Sequence, residues 1–196
     1  MPDHQTYEAQ FRFLDPVKKE QIARLLDENK LAIRQTGKGE YLLRQNQKCN
    51  SIDFILKGCF RQFSLQNGEE INFLFYFEKE FIIDHNSYLS DTPTIYNIQA
   101  IEDSITLNIG KKVLNELSVH DESWLKLYSK INEIAIVRLY KRNEVLLTQT
   151  PEQRYLKLLE VHPHIMERVS LARIATFLGI TVPSLSRIRK RIAEQT

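Results

Sequence analysis

The chain has 196 residues, 42% of them hydrophobic and 27% charged, with a formal net charge of +2. That length suits one large domain or two small ones with a core to bury, and that composition excludes wholesale disorder. No run of 18 apolar residues exists, the start is polar and acidic, and Cys49 and Cys59 are too few for a disulfide framework, a thiolate zinc site or a four-cysteine cluster. A soluble, cytoplasmic protein with no membrane partner is therefore expected.

Asp15-Pro16 has the form of a helix start, and Val17, Ile22, Leu25 and Leu26 predict a helix from Val17 to Asn29. From Leu31 to Ile109 the texture changes to short runs rich in Ile, Phe, Leu and Tyr, separated by turn residues. Ile71 to Phe77 reads as a strand, with Ile71, Phe73, Phe75 and Phe77 on one face. Asn67-Gly68 before it predicts a hairpin pairing Gly58–Leu65 with Glu70–Phe77. Ile52–Leu56 and Ile95–Ile109 add further strands, and seven or eight of them at this spacing suggest a small antiparallel sandwich or roll.

After Gly110 the pattern turns helical, first through a short turn at Val113 and Leu114. A long helix is then predicted from about Asp121 to Leu147, free of Gly and Pro, a rod of about 40 Å. Its apolar positions include Trp124, Leu127, Tyr128, Ile131, Ile134, Ala135, Leu139 and Leu146. One side covers the roll and the other a second copy, with Leu127, Tyr128, Ile131, Ile134, Ala135 and Leu139 assigned to the homodimer seam. Arg138, Lys141 and Arg142 interrupt the heptad, so a packing helix is expected rather than a free coiled coil. Gln149-Thr150-Pro151 ends the rod, and a short helix follows from Glu152 to Val161.

The last stretch carries the functional signal. Leu171, Ile174, Ala175 and Leu178 share one helical face behind Ser170, an N-cap type of residue. Gly179 provides the turn, Ile180 plugs it, and Thr181 caps a second helix that tolerates Pro183 in its first turn. Leu185, Ile188 and Ile192 point back to a core, leaving a basic outer face of small residues. This is the pattern of a helix-turn-helix. From Arg168 onward there are six basic residues against the single acid Glu194, which suits a polyanionic partner, double-stranded DNA. Val182, Pro183 and Arg187 are candidates for base edges, and Thr181, Ser184, Lys190 and Arg191 for phosphates.

The order of roll, long helix and terminal helix-turn-helix resembles the cyclic-AMP receptor protein/Fnr family of bacterial transcription regulators. The likeness rests on Lys38–Arg44 (KGEYLLR), Ile52–Gly58 (IDFILKG) and the terminal motif. It implies an α+β chain: an antiparallel, jelly-roll-like sensor domain over 1–117, a dimerisation helix over 118–148 and a DNA-binding domain over 149–196. It further implies a homodimer reading an inverted-repeat operator, with RNA polymerase and a small-molecule effector as further partners. Two departures stand out. Lys79-Glu80 occupies the place of the family's phosphate-cradling Gly-Glu, and Pro93-Thr94-Ile95 that of its Arg-Ser. No Arg occurs between Arg61 and Arg138 and no Gly between Gly68 and Gly110, so cyclic AMP in the usual mode is not expected. Lys79, Glu80 and Thr94 are the effector candidates that remain, the effector itself is unknown, and no cofactor is assigned. The chain also stops at Thr196, a few residues past the recognition helix, which puts any wing contacts to phosphate in doubt.

His85 beside Asp84 and the pair His162-Pro163-His164 read as turn and helix-end residues rather than metal ligands. Phe73, Phe75 and Phe77 read as core rather than an effector cavity. No catalytic constellation is present in the pattern, so a non-enzyme is expected. Two alternatives stand beside the regulator: an adaptor using its terminal helices on a protein partner, and a cupin-like enzyme, which needs a histidine cluster where the roll offers only His85.

Overall fold

The computed structural model describes Leu14 and residues 17–194. The predicted Asp15-Pro16 helix start lies outside the described residues, and helix α1 runs over Lys19–Asp27, burying Ile22 and Leu25. Eight strands follow: β1 Ala32–Thr36, β2 Tyr41–Leu43, β3 Ser51–Lys57, β4 Phe60–Gln66, β5 Glu69–Tyr76, β6 Phe81–Ile82, β7 Asn97–Ala100 and β8 Ser104–Gly110. A short helix α2, His85–Ser90, sits between β6 and β7. The strands form two four-stranded antiparallel sheets, ordered β1-β8-β3-β6 and β2-β7-β4-β5. Ile52, Phe54, Leu107 and Ile109 of the first meet Phe60, Tyr76, Ile98 and Ala100 of the second in one core, as inward faces of a roll must.

Asn67-Gly68 makes the predicted two-residue turn, closing β4 on β5 at Gln66 and Glu69. The strand alternation differs from the sequence expectation. Phe63 faces Asn72 and Gln62 faces Leu74, leaving Phe73 as the extra residue of a bulge. Beyond it the faces exchange: Leu74 and Tyr76 join the roll core, while Phe75 and Phe77 join a second core made with the C-terminal helices. Phe73 instead stands edge-on to Tyr96, with ring centroids 4.9 Å apart.

Helix α3 occupies Lys111–His120, where only a short turn was expected. Asp121 then caps α4, Glu122–Thr148, by accepting from the Ser123 amide at 2.8 Å. The first half of α4 lies on the roll and buries Trp124, Leu127 and Ile131. Leu127 and Ile131, assigned to the dimer seam from sequence, are thus already covered by their own chain; Tyr128 and Ala135 are half-buried, and Ile134 and Leu139 are exposed. Periodicity finds an apolar stripe but not the surface that covers it.

Thr150 and Gln153 form a capping box at α5, Pro151–Val161, explaining the clean break after α4. Helices α6 (Ile165–Arg168), α7 (Leu171–Phe177) and α8 (Val182–Ala193) complete the chain. Their core of Tyr155, Leu158, Ile174, Ala175, Leu178 and Leu185 continues into Cys59, Phe75 and Ile101 of the roll. No helix among the described residues is long and apolar enough to cross a membrane.

The sharpest backbone constraint lies at the β3–β4 corner. Gly58 has φ +103°, and a Cβ there would come within 2.1 Å of the Ser104 Oγ. Gly58→Ala is expected to cost about 3 kcal/mol, read as a lower urea midpoint with unchanged slope.

Candidate nucleic-acid interface

The terminal helix pair is built as its residues dictate. Ala175 is fully buried where α8 crosses α7, and Gly179 takes φ +70° to leave the first helix. The Ile180 amide donates to the Ala175 carbonyl at 3.0 Å, and Thr181 caps α8 by accepting from the Ser184 amide. Leu185 and Ile188 are buried and Ile192 packs beside them. Ser170 precedes α7 but makes no side-chain cap, contrary to its sequence reading.

The outer face of α8 is open. Val182, Pro183, Ser186, Arg187, Arg189, Lys190 and Arg191 are exposed, and Ser184 is half-buried. Arg187 leans along its own helix, its Nε 3.4 Å from the Pro183 carbonyl and its Nη2 3.4 Å from Ser184 Oγ, with no carboxylate partner among the described residues. Lys190 lies 3.8 Å from Glu194, and Arg191 pairs with Glu152 of α5. Such exposed pairs are weak and yield readily to phosphate.

Two basic residues counted with that tail serve elsewhere. Arg168 holds Glu78 through two 2.9 Å hydrogen bonds and also binds Glu102, both on the roll. Burial works against its charge, but these carboxylates outweigh it and raise its pKa. Arg173 is half-buried, its pKa lowered by burial and by Arg61. Around them the roll and the terminal helices are joined: Asn72 Nδ2 donates to Thr176 Oγ1 at 2.8 Å, and the Phe75 and Phe177 rings lie 5.1 Å apart. Phe77 stacks on His162 at 4.6 Å. Neither the Arg168 clamp nor this docking face has a local sequence signal, since their hydrogen bonds join residues 66 to 104 positions apart in the chain.

Between the roll and α4 lies a cavity of about 410 Å³ with a mostly apolar wall that includes Phe73, Tyr76, Phe81 and Tyr96. Lys79 and Glu80 line it; Thr94 does not. Thr94 is buried behind the wall, donating its hydroxyl to Asp84, which does line the cavity. Phe73 therefore faces a cavity, whereas Phe75 and Phe77 pack on the C-terminal helices. His85 also lines it; burial pushes its pKa down against the pull of Asp84. Arg138 and Arg142 enter the same cavity from α4. A search for arginine confined to the strands passes over them, because their distance in sequence hides their approach in space. Among the described residues no three of His, Cys, Asp or Glu gather as metal ligands.

Residues 33–121 match the family described as Cyclic nucleotide-binding domain. Over the whole fold the chain is similar to FixK2 from Bradyrhizobium japonicum, at 16% identity and a TM-score of 0.72, covering 84% of this chain and 85% of that one. It is similar to a crp/fnr family transcriptional regulator from Eubacterium rectale, at 15% identity and 0.71, covering 95% and 88%. It is likewise similar to CLP of Xanthomonas campestris, described as a c-di-GMP responsive global regulator, at 15% identity and 0.70, covering 91% and 93%. Comparison with curated protein sequences found no match. The fold is that of the Crp/Fnr regulators, as the sequence resemblance implied.

Removing the clamp with Arg168→Met is expected to loosen the terminal helices from the roll, at about 1–2 kcal/mol. Faster proteolysis near residues 149–151 and a lower melting temperature check it. Glu78 is pulled below the usual carboxylate range: burial opposes its charge, but Arg168 and the Gly58 amide overcome it. Its stabilisation is present above about pH 4.5 and is lost as pH falls through its lowered folded value, so acid is expected to loosen the wild-type docking and leave Arg168→Met less affected.

Proposed function

We propose that this chain is a homodimeric, sequence-specific DNA-binding transcription regulator of the Crp/Fnr type. The observation that carries the reading is the outer face of α8. It presents Arg187, Arg189 and Lys190 to solvent at the end of a helix pair whose back is fully packed. Docked in a major groove by its N-terminal turn, α8 offers Arg187 to guanine O6 and N7, and Val182 and Pro183 to a thymine methyl. Thr181, Ser184, Lys190 and Arg191 suit phosphates, which position without specifying.

A second copy is the occupant that the bare side of α4 fits. Leu125, Ser129, Asn132, Ile136, Leu139, Asn143 and Leu146 recur at alternating spacings of four and three. That is the spacing of a coiled-coil seam, and Leu125, Ile136, Leu139 and Leu146 are exposed along it. Asn132 and Asn143 at seam positions favour one register over its slipped alternatives, at some cost in stability. Arg138, Lys141 and Arg142 do not interrupt this stripe, because they stand on other faces of the helix. Two recognition helices about 34 Å apart would read an inverted repeat one helical turn apart. This reading does not take cyclic AMP in its usual mode as the effector, because Glu80 and Asp84 stand on the cavity wall and the β6–β7 region contains neither an Arg nor a Gly to cradle a phosphate.

Selection from random duplexes is expected to enrich an inverted repeat, with affinity falling steeply as salt rises; no enrichment would favour the protein-adaptor reading. Arg187→Ala should lose about 1–3 kcal/mol and relax preference at a single base pair, whereas a uniform loss on every sequence would make Arg187 a phosphate contact. Ile136→Glu with Leu139→Glu should yield monomers by light scattering and lower affinity for the paired site; a persistent dimer would place the seam elsewhere.

A further inference from the structure

A second cavity, of about 420 Å³, opens between the C-terminal half of α4, α5 and the end of α7. The DNA-reading face does not use it. Its wall is apolar at Phe75, Val145, Leu158 and Phe177, and its ionic groups are five cations, Arg138, Lys141, Arg142, Arg154 and Lys157, against Glu144 alone.

The guanidinium groups there are short of anions. Arg142 donates Nη2 to the Phe177 carbonyl at 3.3 Å and lies 4.3 Å over the Phe177 ring, with no carboxylate partner among the described residues. Burial, then the like charges of Arg138 and Arg154, hold its pKa down to about 10. Arg154 gives Nη1 to the carbonyls of Leu146 and Gln149, at 3.3 and 3.0 Å, while its Nε is buried with no partner. The Oε1 of Gln149 is likewise buried without one. Arg138 has an acid nearby, Glu80 at 3.7 Å. Charges taken from water and left unpaired are costly, and like charges converging on one space raise that cost. An anion relieves it, and the planar guanidinium fork matches a carboxylate with two parallel hydrogen bonds.

We propose that this cavity binds a small amphipathic carboxylate, its head on Arg142 and Arg154 and its apolar body along Phe75, Val145, Leu158 and Phe177. A bare inorganic ion would leave the apolar wall wet, and a neutral apolar molecule would leave the arginines unpaired. Val145 stands across α4 from Ile136, while Leu146 belongs to both the seam and the cavity wall. A second copy on that seam would border the cavity at Leu146.

The test uses the full-length protein with decanoate, and with decanol and inorganic phosphate as separate probes, by calorimetry and thermal melting. Saturating decanoate is expected to bind and to raise the melting temperature by about 5 °C, with decanol and phosphate doing neither. Arg154→Gln, which alters this cavity and not the one against the roll, should weaken decanoate at least tenfold, and the cavity-filling Val145→Phe should do the same. Arg142→Met should abolish binding and melt no lower than wild type without ligand, because a half-buried charge with no carboxylate partner is gone. Four results each overturn the proposal: no decanoate binding; equal binding of decanol; equal binding of phosphate; or decanoate affinity untouched by both Arg154→Gln and Val145→Phe, which would put the ligand in the roll cavity.

Discussion

Strand β5 belongs to two hydrophobic cores at once, and the arrangement of the whole chain follows from that. The residue inserted at Phe73 sends Tyr76 into the roll and Phe75 out of it, where Phe75 becomes part of the core under α7. A regular strand could not send Leu74 and Tyr76 inward while also placing Asn72 opposite Thr176. The terminal helices therefore do not hang from a linker. They share buried apolar surface with the roll, worth about 25 cal/mol for each Å² removed from water, and that term outweighs the half-exposed ion pairs beside it. Arg168, Glu78 and Glu102 then choose the angle at which that apolar contact is made, because a bidentate clamp tolerates little rotation.

Helix α4 shows a different constraint. A rod of 27 residues has more apolar surface than the small roll can cover, so its first half is buried and its second half is left with bare hydrophobic residues. Two stripes run along it, one through Trp124, Leu127 and Ile131, the other through Leu125, Ile136 and Leu139. Both repeat at helical spacing, and from sequence they merge into one broad face. Only the roll's position separates them. The same merging makes Arg138 and Arg142 look like interruptions of a heptad, when they stand over cavities that border the second stripe.

What could be read from sequence was local. The hairpin turn at Asn67-Gly68, the stop at Thr150-Pro151 and the terminal helix pair depend on neighbours within a few residues, and their element boundaries lie within a residue or two of expectation. The inward set Leu185, Ile188 and Ile192 was legible for the same reason. The bulge at Phe73 was not, since it depends on the register of the partner strand. Thr94 was drawn to the effector site by its place in a motif, whereas the fold turns it onto Asp84 behind the wall. Arg168 resembled one more DNA-facing cation until two distant glutamates came within reach of it.

Arg138 and Arg142 line both cavities, and each also donates to a backbone carbonyl at the docking face: Arg138 to Phe75 at 2.6 Å, Arg142 to Phe177 at 3.3 Å. An anion that draws either guanidinium toward itself competes with one of those carbonyls. One of the carbonyls belongs to the roll's shared strand and the other to the first helix of the terminal pair. A ligand that did so would act directly on the contact between the two cores. The size of that effect is bounded by the difference in affinity between the docked and loosened arrangements, whatever the absolute strength of binding. On the proposed dimer, a change in docking angle would alter the separation of the two terminal helix pairs. The long helix is the common wall of the two cavities.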